Sequence, residues 1–176
     1  MNLANKLTVF RVILVPFFVL FMLTDFTRYN RIFALVIFVI ASVTDHFDGA
    51  VARKYNMITS FGKFMDPIAD KLLISSALIC LTALGEMPAW AVIIIILREF
   101  AVSGIRLVAS DNGSVIAASP WGKAKTVAQM VMIIVLLLKI PQLYIISQIV
   151  MYTAVVLTVV SMIDYLIKNR SVIKFE

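Results

Sequence analysis

The sequence predicts an all-α integral membrane protein, a six-transmembrane-helix bundle with an amphipathic juxtamembrane segment at its N-terminus. Three observations carry that prediction. Of 176 residues, 62% are hydrophobic and only 15% charged, against about 45–50% and about 25% in an ordinary soluble domain. The apolar residues form runs separated by short polar breaks, and about 20 of them in succession suffice for one helical crossing of the hydrocarbon core. Allowing for loops, the chain holds about six crossings and no separate soluble domain, so residues 1–176 read as one membrane domain. The formal charge of +6 is spread singly between apolar runs. Without a basic tract, that charge points to anionic lipid and phosphorylated ligands and not to nucleic acid. A single cysteine, Cys80, excludes an intramolecular disulfide and a multi-cysteine zinc site.

Taken in order, the spans are 12–24, 32–52, 61–84, 88–108, 121–139 and 144–167. The first is short and follows Lys6 and Arg11, but no small-residue cleavage site succeeds it, so it reads as an uncleaved span. Residues 5–11 lengthen it: Leu3, Leu7, Phe10 and Leu14 keep helical spacing while Lys6 and Arg11 supply charge, as in a helix that starts along the membrane surface. The short connection 54–60 folds the second and third spans antiparallel. Within the fourth lie Arg98 and Glu99, then Arg106. Asp111-Asn112-Gly113 reads as a turn, and the fifth span opens with Gly122-Lys123-Ala124-Lys125-Thr126. Asp164 and Lys168, four apart near the end of the sixth, form a helix-surface pair. Six crossings put both termini on one side. That side holds Lys6, Arg11, Arg53, Lys54, Lys63, Lys71, Arg106, Lys123, Lys125, Lys168, Arg170 and Lys174, against Arg28, Arg31 and Lys139 on the other. The positive-inside rule makes the termini cytoplasmic.

Of ten acidic residues, four fall between positions 45 and 70: Asp45 and Asp48 ending the second span, Asp66 and Asp70 opening the third. Spacings of three and four put each pair on one face of its helix. Carboxylates at membrane depth are costly and face a bundle interior or a wet cavity. Four together need compensation beyond Arg53 or Lys71, and oxygen ligands of this kind suit Mg²⁺, Mn²⁺ or Ca²⁺ better than zinc. Two Mg²⁺ ions bridged by shared carboxylates serve phosphoryl chemistry; the other use of such a cluster is as the transport site of a cation channel or carrier. Gly49 beside Asp48 and Gly62 one turn before Asp66 leave space for a ligand to approach backbone, or for close helix packing.

Written out, Asp45-His46-Phe47-Asp48-Gly49-Ala50-Val51-Ala52-Arg53, eight residues, then Gly62-x-x-x-Asp66-x-x-x-Asp70 resembles the signature of the CDP-alcohol phosphotransferase family. Its eight defining positions match at the family's spacing, and Pro67 and Asn5-x-Leu7-Thr8-x-x-Arg11 look like the family too. The resemblance implies that Asp45, Asp48 and Asp66 hold one divalent ion, that Asp45, Asp66 and Asp70 hold a second, and that Asp70 is also the general base. It places the CDP moiety against Gly49, Ala52, Arg53, Thr59 and Gly62, with Thr8 and Arg11 nearby, and it implies a homodimer. His46 occupies a position that the family leaves variable.

The signature identifies the donor as a CDP-alcohol and leaves the acceptor open. Leu97-Arg98-Glu99-Phe100, Gly104-x-Arg106 and Val115-Ile116-Ala117-Ala118-Ser119-x-x-Gly122-Lys123-x-Lys125-Thr126 resemble the bacterial members that pair CDP-diacylglycerol with glycerol 3-phosphate. On that resemblance Arg98, Arg106, Lys123 and Lys125 receive the acceptor's phosphate. The plainer alternatives are a buried pairing of Arg98 with Glu99 and, for the two lysines, a topology signal. Lys125 points nearly opposite Lys123 on a helix. Serine or phosphatidylglycerol as acceptor remains open at this level.

Overall fold

The computed structural model describes residues 3–54, 60–111, 116, 117 and 119–170; its description leaves out the side chains of 3, 4, 45–54, 60–64, 66, 67, 70 and 111. Six α-helices run in order, α1 Leu3–Leu23, α2 Asn30–Lys54, α3 Ser60–Ala83, α4 Ala89–Asp111, α5 Pro120–Leu138 and α6 Tyr144–Lys168, with a 3₁₀ turn Pro141–Leu143 leading into α6. No strand occurs among the described residues. The helices fall into two compact units, Met1–Glu86 and Met87–Glu176.

Five helices lie within a few residues of the expected spans. The first begins earlier, because residues 5–11 and the apolar run behind them form one unbroken helix. Pro16 lies inside it without ending it, as membrane helices tolerate. Among the described residues, three segments are long and apolar enough to cross a bilayer: Asn5–Leu23, Pro120–Leu138 and Pro141–Lys168. Shorter apolar stretches, Asn30–Thr44 and Lys71–Ala83, belong to α2 and α3. The remainder of those two helices carries the aspartates, and α4 carries Arg98, Glu99 and Arg106.

In the first unit α1 packs on both α2 and α3. Its inward stripe is Asn5, Thr8, Arg11, Val15, Phe18 and Met22, all buried, at the three-and-four spacing of one helix face. Leu7, Phe10 and Leu14 are left half-buried or exposed. The 5–11 segment is therefore amphipathic with its polar side turned inward. Phe18 and Phe38 meet at 6.1 Å between ring centroids, and Ala34, Ala41, Ala77 and Leu81 complete the core. At one end Arg31 forms a two-pronged ion pair with Glu86, its Nη1 donating to Oε1 at 2.6 Å. That pair joins the start of α2 to the end of α3, so the two helices are antiparallel. Beyond α3, Gly85 N–H donates to the Thr82 carbonyl and Glu86 N–H to that of Leu81, a Schellman stop whose left-handed residue is Gly85 at φ 72°.

In the second unit α6 packs on both α4 and α5. Ser119 caps α5, its Oγ accepting from Gly122 N–H at 3.1 Å, and Pro120 takes the first turn. Lys125, Gln129, Met132, Ile133 and Leu136 of α5 are buried, as are Met151, Ala154, Val155, Thr158 and Ser161 of α6. Gln129 Nε2 donates to Thr158 Oγ1 at 3.1 Å, and Thr158 donates onward to the Ala154 carbonyl at 2.7 Å. The outward faces of both units are strongly apolar: Ile13, Phe17, Leu20, Val36, Ile93, Leu97, Leu107, Ile145, Ile149 and Val156 are exposed. A surface of that composition is suited to lipid, and the chain is a membrane protein.

Candidate functional site

The aspartate end of the first unit follows from its helix register. Asp45 and Asp48 lie in α2, and Asp66 and Asp70 in α3. Measured from Arg31 in α2 and from Ala83 at the end of α3, the first two stand about 21–26 Å along α2 and the second two about 20–26 Å back along α3, at about 1.5 Å per residue. Antiparallel helices thus bring both acidic pairs to one level. Counted back from Thr24, whose carbonyl accepts from Asn30 Nδ2 at the start of α2, Arg11, Thr8 and Asn5 stand about 20–29 Å along α1, and Thr8 and Arg11 are each 1% exposed. A buried arginine in a membrane helix is kept where it is paired or serves function. The backbones of Gly49, Ala52 and Arg53 continue α2 and that of Gly62 opens α3, while Thr59 lies outside the described residues. Side chains of the four aspartates and of Arg53 also lie outside the description. Asn5 joins the polar stripe although the sequence reading gave it no role; its signal was the spacing of Asn5, Thr8 and Arg11 along one helix face.

The second unit concentrates its basic residues between α4, α5 and α6. Arg98, buried, donates through Nη2 to Ser161 Oγ at 2.7 Å, and its Nη1 lies 3.6 Å from Glu99 Oε1. Lys125, 2% exposed, forms an ion pair with the same Glu99 oxygen. The pairing of Arg98 with Glu99 is therefore present, and it includes a lysine from another helix. Lys123 is exposed, on the opposite face as the spacing required. Arg106 sits over the ring of Tyr165, 5.7 Å from its centroid. Hence Arg98 and Lys125 meet at Glu99, Arg106 stands on Tyr165, and Lys123 joins neither contact. Asp164 and Lys168 form the expected pair at 2.7 Å, with Lys168 exposed. Beside them a cavity of about 330 Å³ is lined by Ser119, Asp164, Tyr165 and Asn169 among others. Sequence reasoning passed over Ser161 and Tyr165, because a serine and a tyrosine in an apolar helix carry no local pattern that marks their partners.

The fold is that of a helical integral membrane protein with polar and charged residues turned into each unit. Residues 1–160 match the family model described as CDP-alcohol phosphatidyltransferase, and the chain belongs to that family. It is 43% identical to a protein of Bacillus subtilis (strain 168) named CDP-diacylglycerol--glycerol-3-phosphate 3-phosphatidyltransferase, across 98% of this chain and 97% of the relative. Proteins of the same name from Shigella flexneri and Rickettsia bellii are 39% and 36% identical; the matches cover 97% and 93% of this chain, and 96% and 93% of those proteins. The matched region extends over both compact units.

Proposed function

We propose that the protein transfers the phosphatidyl group of CDP-diacylglycerol to sn-glycerol 3-phosphate, giving phosphatidylglycerol phosphate and CMP. The observation that carries this reading is identity of 43% over nearly the whole of both chains with a relative named for that reaction. In the first unit Arg53, Thr8, Arg11, Gly49, Ala52, Thr59 and Gly62 form the CDP-lipid site. Asp70 takes the proton of the acceptor hydroxyl, whose oxygen attacks the lipid-side phosphorus of the pyrophosphate; CMP leaves with the bridging oxygen. No covalent enzyme intermediate is needed. In the second unit Arg98, Arg106, Lys123 and Lys125 form the acceptor's anionic site, with Lys125 acting through Glu99.

The all-oxygen donor set of Asp45, Asp48, Asp66 and Asp70, at one level on two antiparallel helices, fits two Mg²⁺ ions, or Mn²⁺ in their place. Bound there, they would neutralise the pyrophosphate's charge. We place the protein as a six-span homodimer in the bacterial plasma membrane, with termini and aspartate end cytoplasmic. The unequal distribution of lysine and arginine along the sequence supports that orientation.

The test is product formation by the purified protein from CDP-diacylglycerol and labelled glycerol 3-phosphate. Label should enter the lipid phase mole for mole with CMP release, cease on chelation with EDTA and return with Mg²⁺ or Mn²⁺. CMP release without label in lipid would sink the reading.

A further inference from the structure

We propose that Ser161 and Tyr165 of α6 are positioning residues for the acceptor's anionic group, holding the guanidinium groups of Arg98 and Arg106 toward a common ligand. This rests on the acceptor site proposed above and adds to it a helix that carries none of its assigned residues. Arg98 and Arg106 are eight residues apart on α4, which alone would set them about 12 Å apart along the axis. Their partners on α6 are four residues apart, about 6 Å along that axis. Ser161 Oγ accepts from Arg98 Nη2 at 2.7 Å, and the Tyr165 ring lies 5.7 Å below the Arg106 guanidinium. The order of the two contacts makes α4 and α6 parallel, so α6 draws the two tips closer than the α4 spacing would place them.

Both partners are fixed. Ser161 is fully buried and Tyr165 is 2% exposed, so neither has freedom to follow a mobile arginine. Around Arg98 the restraint is twofold: Ser161 on Nη2 and Glu99 beside Nη1. Glu99 in turn is held by Lys125. An arginine fork restrained in this way is preorganised for a phosphate and loses less freedom on binding than a free side chain would. Tyr165 acts through its aromatic face, the surface a guanidinium stacks on.

The experiment is steady-state kinetics of the purified full-length protein with both substrates varied, on Ser161→Ala, Ser161→Thr, Tyr165→Leu and Tyr165→Phe. Ser161→Ala and Tyr165→Leu should each raise KM for glycerol 3-phosphate by about five- to tenfold while KM for CDP-diacylglycerol stays within about twofold. Ser161→Thr and Tyr165→Phe, which keep the hydroxyl and the ring, should stay near wild type, so a folding defect in the harsher variants is recognised. In an Arg98→Ala background Ser161→Ala should add less than about twofold, as for a residue acting through its partner. An unmoved KM for glycerol 3-phosphate, or equal effects on both KM values, would overturn the positioning role. So would a loss in Tyr165→Phe as large as that in Tyr165→Leu. Wild-type protein that does not use glycerol 3-phosphate at all would instead remove the functional reading, and this inference with it.

Discussion

Arg11 shows at the scale of one residue how polar groups are placed in this chain. It is 1% exposed on a helix whose outward neighbours, Phe10 and Ile13, are apolar and exposed. Thr8 and Asn5 share its face, and all three lie at the level of the aspartates. The four carboxylates stand out in the sequence by their spacings of three and four in an apolar chain, while their side chains lie outside the described residues. Lys125 was less so: its opposition to Lys123 follows from the helix period, but that it is the inward member depends on Glu99 of α4, 26 residues away. Ser161 and Tyr165 were not legible at all, since their meaning lies in contacts with arginines about 60 residues distant in sequence. At this scale Asp70→Asn should lower turnover by about a hundredfold or more, the usual cost of losing a base, while metal-dependent CDP-diacylglycerol binding partly survives. Asp45→Asn should lose metal binding too. Calorimetric titration with Mn²⁺ beside CMP release separates them, and near-wild-type turnover in Asp70→Asn would take the base role from that residue.

Helix ends fall close to the expected bounds where local chemistry stops a helix. Ser119 and Pro120 start α5, Lys139 in a left-handed conformation closes it, and Gly85 closes α3. The helical extension of α1 over residues 5–11 was legible, but its inward side was not, because the buried face carries the polar Asn5, Thr8 and Arg11. Likewise α2, α3 and α4 are full-length helices whose apolar runs are interrupted by charged residues, and those residues include ones assigned to the two sites. Gly85 offers a test confined to one element. A Cβ there would meet nothing within 4 Å, so only the backbone at φ 72° objects. Gly85→Ala should cost about 1–2 kcal/mol of stability and Gly85→Asn less, since asparagine enters the left-handed region more readily. Thermal unfolding in detergent would show the order, and equal stability of the alanine variant and wild type would mean that α3 ends differently.

For the whole molecule, composition and run length alone pointed to a helical membrane protein, and the aspartate spacing to its chemistry. The division into a unit of α1 to α3 and a unit of α4 to α6 was not visible, because the polar break at Gly85, Glu86 and Met87 is no longer than the others. Donor chemistry is assigned to the first unit and acceptor recognition to the second, so acceptor choice tests the account most directly. The measurement is CMP release by the purified protein with CDP-diacylglycerol and Mg²⁺, offered glycerol 3-phosphate, glycerol, serine, inositol 1-phosphate or phosphatidylglycerol separately. A strong preference for glycerol 3-phosphate over glycerol is expected, on the order of several kcal/mol, as when charge-assisted hydrogen bonds in an internal site are left unmade. Arg106→Ala or Lys123→Ala should raise its KM with less effect on CDP-diacylglycerol. Equal reaction of glycerol and glycerol 3-phosphate, or phosphatidylglycerol as the best acceptor, would contradict the acceptor assignment and reduce the basic residues of the second unit to a structural role.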